Sequence, residues 1–256
     1  MVEFTPFSVL MSVYQKEKPS NLTECLDSIL VNQTVIPNEI VLIKDGPLTE
    51  GLNATIASYQ AKFTNLKVYS LKENVGLGEA LRYGITKCSN ELVARMDTDD
   101  IACNNRFEKQ LEYLQVHPEI DVLGSHISEF TNTIDNIVSQ KRMPLTQKDI
   151  LSMLKRRNPM CHVTVMFKKS SVLDAGNYYS LPYVEDYYLW ARMIQKGFKF
   201  VNLNKVLVYV RVGDGMYARR GNREQIQSWK ALNEFMYKHK MISKIDELLN
   251  MLMIRV

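Results

Sequence analysis

The densest concentration of reactive side chains in the sequence is Asp97-Thr98-Asp99-Asp100, which sets three carboxylates within four residues. Carboxylates this close repel one another unless a proton or a cation relieves them. The run closes an apolar stretch ending Ala94-Arg95-Met96. In extended backbone, residues two apart point to the same side, so Asp97 and Asp99 can face one crevice. Hard cations such as Mg²⁺ or Mn²⁺ take one or two carboxylates together with substrate phosphate oxygens. A diphosphate ligand would complete that shell, and the metal would stabilise the charge that builds as the diphosphate leaves. A calcium loop counted from Asp97 places Glu108 correctly at its twelfth position. It fails at the fifth and sixth, which are Ile101 and Ala102 rather than an oxygen ligand and a glycine. The plainer alternative is an acidic turn capping the next helix. Placement at the carboxyl end of a strand favours a ligand site.

Other residues carry weaker signals. Glu185-Asp186 opens a segment with helical spacing, Asp186–Lys196, and taken alone reads as acid complementing a helix dipole. His162 precedes an apolar run and by itself reads as a structural histidine. Trp190, inside the predicted helix, and Trp229, near the end of the chain, read as packing residues. Gly76-Leu77-Gly78 before a helix resembles a dinucleotide fingerprint, but Leu81 holds the third glycine position and the turn follows a third strand. Both departures argue against a dehydrogenase of that type.

These residues need a scaffold, and the hydrophobic pattern supplies one. Short apolar runs at Phe7–Tyr14, Glu39–Lys44, Leu66–Tyr69 and Leu92–Met96 alternate with helical segments. In the first segment Leu22, Cys25, Leu26, Ile29 and Leu30 share a face, with Asn21 and Glu24 as a capping pair. Further helices are predicted at Thr49–Phe63, Gly78–Cys88 and Arg106–His117, and further strands at Ile120–Ser125, Val163–Phe167 and Val206–Val212. Such alternation implies right-handed βαβ units and a mostly parallel sheet, with ligands bound beyond the strands' carboxyl ends. From Asn222 the chain reads as a helical tail. Its apolar positions include Trp229, Leu232, Met236, Ile245, Leu248, Leu249 and Leu252, interleaved with lysines. Packing on the main body or a second subunit and an interfacial membrane helix are both open.

Composition narrows the class. With 256 residues, 46% hydrophobic and 23% charged, the chain is an ordinary folded one. No run approaches the roughly 20 apolar residues of a membrane span. The apolar start is too short and lacks the basic flank of a signal peptide. The four cysteines are scattered, as in a reduced cytosolic protein. Residues 1–140 carry 11 Lys and Arg against 19 Asp and Glu, a net −8, and the remainder is +12. A basic second half suits phosphate-bearing ligands or an anionic membrane surface, or is a solvated face. Basic and aromatic residues are too sparsely interleaved for nucleic acid.

In six ordered segments the sequence resembles the inverting, GT-A-type glycosyltransferases of family 2. They are Ser8–Tyr14, Ser28–Thr34, Glu39–Gly46, Asn74–Gly78, Asp97–Asp100 and Glu185–Trp190, and the likeness extends over about residues 7–215. The fold implied is a three-layer α/β/α sandwich with a mostly parallel mixed sheet and the helical C-terminal tail. Residues 1–220 would form the catalytic domain, 1–105 its nucleotide half and 106–220 its acceptor half, with 221–256 the tail. The resemblance implies that Val13, Tyr14, Asp45, Asn74, Gly76, Asp97 and Arg211 bind the nucleotide-sugar. It implies that Asp99 and Asp97 hold Mn²⁺ or Mg²⁺, with Asp100 a lesser ligand. Asp186 would be the general base, with Glu185 beside it raising its proton affinity, and His162 would lie on the acceptor side.

Two departures from the family pattern stand out. Lys44 replaces a second acid beside Asp45, and no histidine follows Arg211, which leaves Arg211, Arg219 and Arg220 as diphosphate contacts. Likeness to bacterial O-antigen and capsule enzymes implies a UDP-hexose donor, galactose or glucose, and a β1,3 linkage to a lipid-diphosphate-linked sugar. The place of work would be the cytoplasm, peripherally on the inner membrane face through the tail. A metal-dependent nucleotidyltransferase and a non-catalytic nucleotide-sugar binding module are the rival classes. The first would lack a role for Asp186, and in the second nothing would turn over.

Overall fold

A computed structural model describes residues 4–213 and 223–253. Its elements are β1 (Phe7–Val13), α1 (Pro19–Leu30), β2 (Glu39–Lys44), α2 (Glu50–Lys62), β3 (Leu66–Ser70), α3 (Leu77–Ile85), β4 (Leu92–Arg95), β5 (Ile101–Ala102) and α4 (Arg106–Val116). Then come β6 (Val122–Phe130), β7 (Ile137–Lys141), α5 (Gln147–Leu154), a 3₁₀ turn (His162–Thr164), β8 (Met166–Lys168), α6 (Lys169–Asp174), α7 (Glu185–Gln195), β9 (Phe200–Arg211), α8 (Arg223–Lys238) and α9 (Lys244–Met253).

One sheet runs through the molecule in the order β3-β2-β1-β4-β8-β6-β9-β5, with β7 on β6. β3, β2, β1 and β4 are parallel, β8 is antiparallel to both neighbours, and β6 and β9 are parallel again. Alternation along β1 divides the core between the two faces, as a period of two requires. Val9, Met11 and Val13 pack under α1, α2 and α4, against Leu26, Ile56 and Phe107. Leu10 points the other way, into a cluster with Leu81 of α3 and Leu189, Trp190 and Met193 of α7. The tail is docked by a third cluster, where Leu232 and Met236 of α8 meet Leu154, Tyr187 and Ala191. Trp229 stands edge-on to Tyr187, and Trp190 is fully buried, so both tryptophans are packing residues. Among the described residues no helix is long and apolar enough to cross a membrane.

Several predicted boundaries move. α1 starts at Pro19, which favours the first helical position, so Asn21 and Glu24 lie inside the helix and are no capping pair. Asn21 donates to Glu17 and Glu24 pairs with Arg211. The segment predicted as the strand Val163–Phe167 begins as a 3₁₀ turn. The Thr164 hydroxyl donates to the Cys161 carbonyl at 2.8 Å and draws the backbone into it. The strand predicted at Ile120–Ser125 continues to Phe130, because β9 itself starts at Phe200 and pairs with β6 from Val122 to the end.

Candidate active site

β1, β2 and β4 are neighbours and end on the same side of the sheet, so the loops that follow them converge. Val13 at the end of β1 accepts the Asp45 amide, and Tyr14 is partly exposed just beyond it. The Asp45 carboxylate is buried and turned toward the loop after β3. It takes the Val75 amide at 2.8 Å, the Gly76 amide at 3.1 Å and the Asn74 side chain at 3.1 Å. Asp45, Asn74 and Gly76 are thereby one unit. Gly46 makes that closeness possible, since its φ is +85° and an added Cβ would stand 2.6 Å from the Asn74 amide nitrogen. Lys44 is engaged with Asn53 at 2.6 Å.

β4 ends at Arg95, and the acidic run turns away from the sheet. Asp97, Asp99 and Asp100 each offer a carboxylate oxygen, and these oxygens lie within 4.8 Å of one another. Asp97 is ion-paired with Arg95, and its carbonyl accepts the Cys25 thiol. Thr98 donates to Glu17, a further acid on the loop after β1. Burial, then the charges of Asp97 and Glu17, push the Asp99 carboxyl up to about 7. Asp100 is driven up still more strongly by burial and by its two acidic neighbours. Such a cluster holds more negative charge than its surroundings neutralise, and its donors are all hard oxygens. These residues fit a divalent cation of the Mg²⁺ or Mn²⁺ type.

Arg211 is drawn to this cluster by β5, which follows Asp100 directly and pairs antiparallel with β9, Ile101 opposite Tyr209. The Arg211 amide donates to Asp100 at 2.9 Å, and its guanidinium donates to the Asp99 carbonyl and pairs with Glu24. The other two arginines considered for a diphosphate, Arg219 and Arg220, lie outside the described residues.

The second acidic pair opens α7. Asp186 accepts Asn158 at 2.6 Å and the Tyr187 amide at 2.8 Å, and burial outweighs both to raise its pKa. Burial also carries Glu185 up to about 7. α3 and the segment before α7 approach closely at Gly78, where a Cβ would meet the Tyr179 carbonyl at 2.5 Å and Glu185 at 3.1 Å. His162 shares a hydrogen bond of 2.9 Å with the Tyr178 hydroxyl and stands edge-on to Trp190. Burial and the Arg95 charge hold its pKa well below the usual histidine range, so it is neutral there.

Arg95, whose importance the motif reading missed, links the two acidic groups. It is 1% exposed, and its charge lowers the pKa of Asp99, Asp100, Glu185 and Asp186 alike. Its Nε and one terminal nitrogen have no hydrogen-bond partner among the described residues. The available signal was a lone charge in the apolar run Leu92-Val93-Ala94-Arg95-Met96, since a buried charge is costly unless it is paired. Asn158 and Glu17 carried no comparable signal.

The family model described as glycosyl transferase family 2 matches residues 8–175. The chain is 43% identical over 222 residues to the amylovoran biosynthesis glycosyltransferase AmsE of Erwinia amylovora, covering 87% of this chain and 82% of that one. It is 37% identical over 254 residues to the UDP-Gal:alpha-D-GlcNAc-diphosphoundecaprenol beta-1,3-galactosyltransferase of Escherichia coli, covering 98% and 91%. Among solved structures, TarS 1-349 of S. aureus in complex with UDP-GlcNAc superposes with a TM-score of 0.73 at 18% identity, over 96% of this chain and 70% of that one. The chain spans 43% of the longer TarS structure. At that identity the likeness establishes the GT-A fold.

Proposed function

Since the chain belongs to glycosyl transferase family 2, we propose that it moves a hexose, galactose or glucose, from a UDP-sugar to a hydroxyl of a lipid-diphosphate-linked sugar during bacterial surface polysaccharide synthesis. The observation that carries this reading is that two acidic groups, Asp97–Asp100 and Glu185–Asp186, share one buried cation, Arg95, which pairs with Asp97 and whose charge favours ionised Asp186. The donor and the acceptor type, together with a β1,3 linkage, follow the Escherichia coli relative. The residues of 1–105 would hold the nucleotide, those of 106–220 the acceptor, and 221–256 would form the tail.

In the proposed reaction the loops after β1 and β2, with Val13, Tyr14, Asp45, Asn74 and Gly76, shape the nucleotide side of the crevice. Asp99 and Asp97 would hold Mn²⁺ or Mg²⁺, which when bound neutralises charge on the departing diphosphate. Asp186 takes the proton of the acceptor hydroxyl as that oxygen bonds to the anomeric carbon, and the bond from that carbon to the UDP oxygen breaks. Attack opposite the leaving group inverts the anomeric centre, giving a β product from an α donor. Burial suits Asp186 to the task, because a carboxylate with raised proton affinity is a stronger base. Asn158 fixes its orientation. His162, neutral beside Tyr178, would contribute shape and a hydrogen bond on the acceptor side rather than charge.

The deciding experiment measures UDP release from a panel of UDP-sugars with Mn²⁺ or with EDTA, in the presence and absence of a GlcNAc-diphosphate-lipid analogue. Release from one donor that needs both metal and acceptor is expected. UDP binding without turnover on any acceptor would favour a binding module, and release of inorganic diphosphate would favour a nucleotidyltransferase. Absence of UDP binding would overturn the reading.

A further inference from the structure

Tyr183 occupies a backbone position that a tyrosine rarely takes. The Val184 amide donates to the Leu181 carbonyl at 3.1 Å, closing a turn with Pro182 second and Tyr183 third. The Tyr183 φ of +73° is the left-handed value that a type II turn demands at that place. Glycine or asparagine supplies it readily, whereas a bulky side chain there crowds its own backbone and is strained. Glycine would hold the same turn without that cost, so what the tyrosine adds is its side chain. Core packing does not explain the choice, because Tyr183 is 43% exposed while the next residue, Val184, is 1% exposed. Strain of this kind collects at sites that bind or react.

The turn stands directly before the second acidic pair. The Tyr183 amide donates to the Glu185 carboxylate, and Asp186 follows. Three residues span at most about 11 Å of chain, short enough for one ligand to meet both Tyr183 and Asp186. The segment leading into the turn is clamped from two helices. Arg82 of α3 donates to the Tyr178 carbonyl, and Arg192 of α7 donates to the carbonyls of Ala175 and Asn177. The Arg192 guanidinium also lies 4.3 Å from the centre of the Tyr179 ring. An exposed tyrosine on so fixed a segment offers a rigid, amphipathic surface. It suits a pyranose, whose C–H face is apolar and whose edge carries hydroxyls. From this we propose that Tyr183 is the platform on which the acceptor sugar stacks, so that its hydroxyl is presented to Asp186. The donor hexose is the poorer occupant, because Tyr183 is tied to the pair that holds the base and not to Asp97–Asp100, which would meet the donor diphosphate. The role given to Asp186 here rests on the proposed function.

The test titrates diphosphate-lipid analogues bearing GlcNAc, GalNAc or glucose into the whole protein held with UDP and Mn²⁺, and follows transfer to the same analogues. Wild type is compared with Tyr183→Phe, which keeps a ring, and Tyr183→Asn, which takes the left-handed backbone without one. Tyr183→Phe should bind the preferred analogue as the wild type does. Tyr183→Asn should bind it roughly tenfold less tightly and raise the acceptor KM by a similar factor, with UDP affinity and donor KM unchanged. Its melting temperature should equal or exceed that of the wild type, since the strain is relieved. Unchanged acceptor affinity in Tyr183→Asn overturns the proposal, as does failure of the wild type to bind any analogue. A clearly lower melting temperature also counts against it, by making the ring a packing element of the turn. A rise in donor KM alone would place the donor hexose on the ring instead. Analogue binding that needs the ring but leads to no transfer from any UDP-sugar would overturn the proposed function and leave the platform standing.

Discussion

Arg95 and Asp97 form an ion pair of unequal partners, the arginine side chain 1% exposed and the aspartate 36%. The buried cation therefore holds a half-exposed acid of the cluster from within the core. Arg95→Met should lower transfer by about 10- to 100-fold, as loss of residues supporting a metal site commonly does. The charge of Arg95 also depresses the pKa of Asp186 and Glu185, so its loss should move the acid limb of the pH–rate profile to higher pH. Arg95→Lys should leave that limb in place. A limb that does not move in Arg95→Met would show the arginine to be structural only.

Asp186→Asn should abolish transfer, by about 10²- to 10⁴-fold, while UDP affinity in the presence of Mn²⁺ stays at the wild-type value. Calorimetry and a UDP-release assay on the same preparation test both halves. Retained transfer would remove Asp186 from the role of base.

Asn158→Ala takes a donor from the Asp186 carboxylate. That hydrogen bond favours the ionised form, so its loss should raise the pKa of Asp186 and shift the acid limb upward, with the plateau rate reduced by less than the limb shift would suggest. A pH–rate profile of the purified variant would reveal an unmoved limb if Asn158 serves packing alone.

The Asp99 carboxyl, raised to about 7, binds its proton more tightly in the folded protein than in the unfolded chain. Its stabilising contribution is thus complete below the ordinary carboxylate range and is lost as pH rises through about 7. Asp99→Asn should accordingly raise the metal-free melting temperature at pH 8, by about 1 kcal/mol or roughly 3 °C, and change it little at pH 4. Mn²⁺ should stabilise the wild type more at pH 8 than at pH 5, and the variant less than the wild type. Thermal scans at these pH values would contradict the reading if the variant were destabilised at pH 8 without metal.

Leu232 is fully buried where α8 meets Leu154, Tyr187 and Ala191. Leu232→Ala should cost about 2–5 kcal/mol in chemical denaturation and leave UDP affinity unaltered. A negligible loss would mean that the tail is not docked as described.

The first four strands and their helices were legible because their alternation is regular and their ends carry turn residues. β1 divides its side chains between two faces, and α2 falls one residue inside the predicted Thr49–Phe63 at each end, with those two residues as its caps and the Thr49 hydroxyl accepting the Leu52 amide. The acidic groups were legible as short motifs, and the family likeness named roles for them. What lay hidden depends on contacts between distant segments. β5 has two residues and no period to detect, yet it decides that Arg211 meets Asp99 and Asp100. Asn158 is an unremarkable polar residue until α7 brings Asp186 to it. The aliphatic stripe of α9, Ile245, Leu248, Leu249 and Leu252, was visible as a period, but its outward direction was not, because which face of a helix is buried is settled by what it packs on.

The pairing of β5 with β9 also sets an order of events. Asp100 leaves the ribosome 111 residues ahead of the Arg211 amide that it accepts. At about 5 to 20 residues per second that gap is on the order of 6 to 20 seconds. For most of that interval β1 to β4 are complete and can pair, while α7 and β9 are still to be made. The half of the molecule that would hold the nucleotide is thus made long before the half that completes the site.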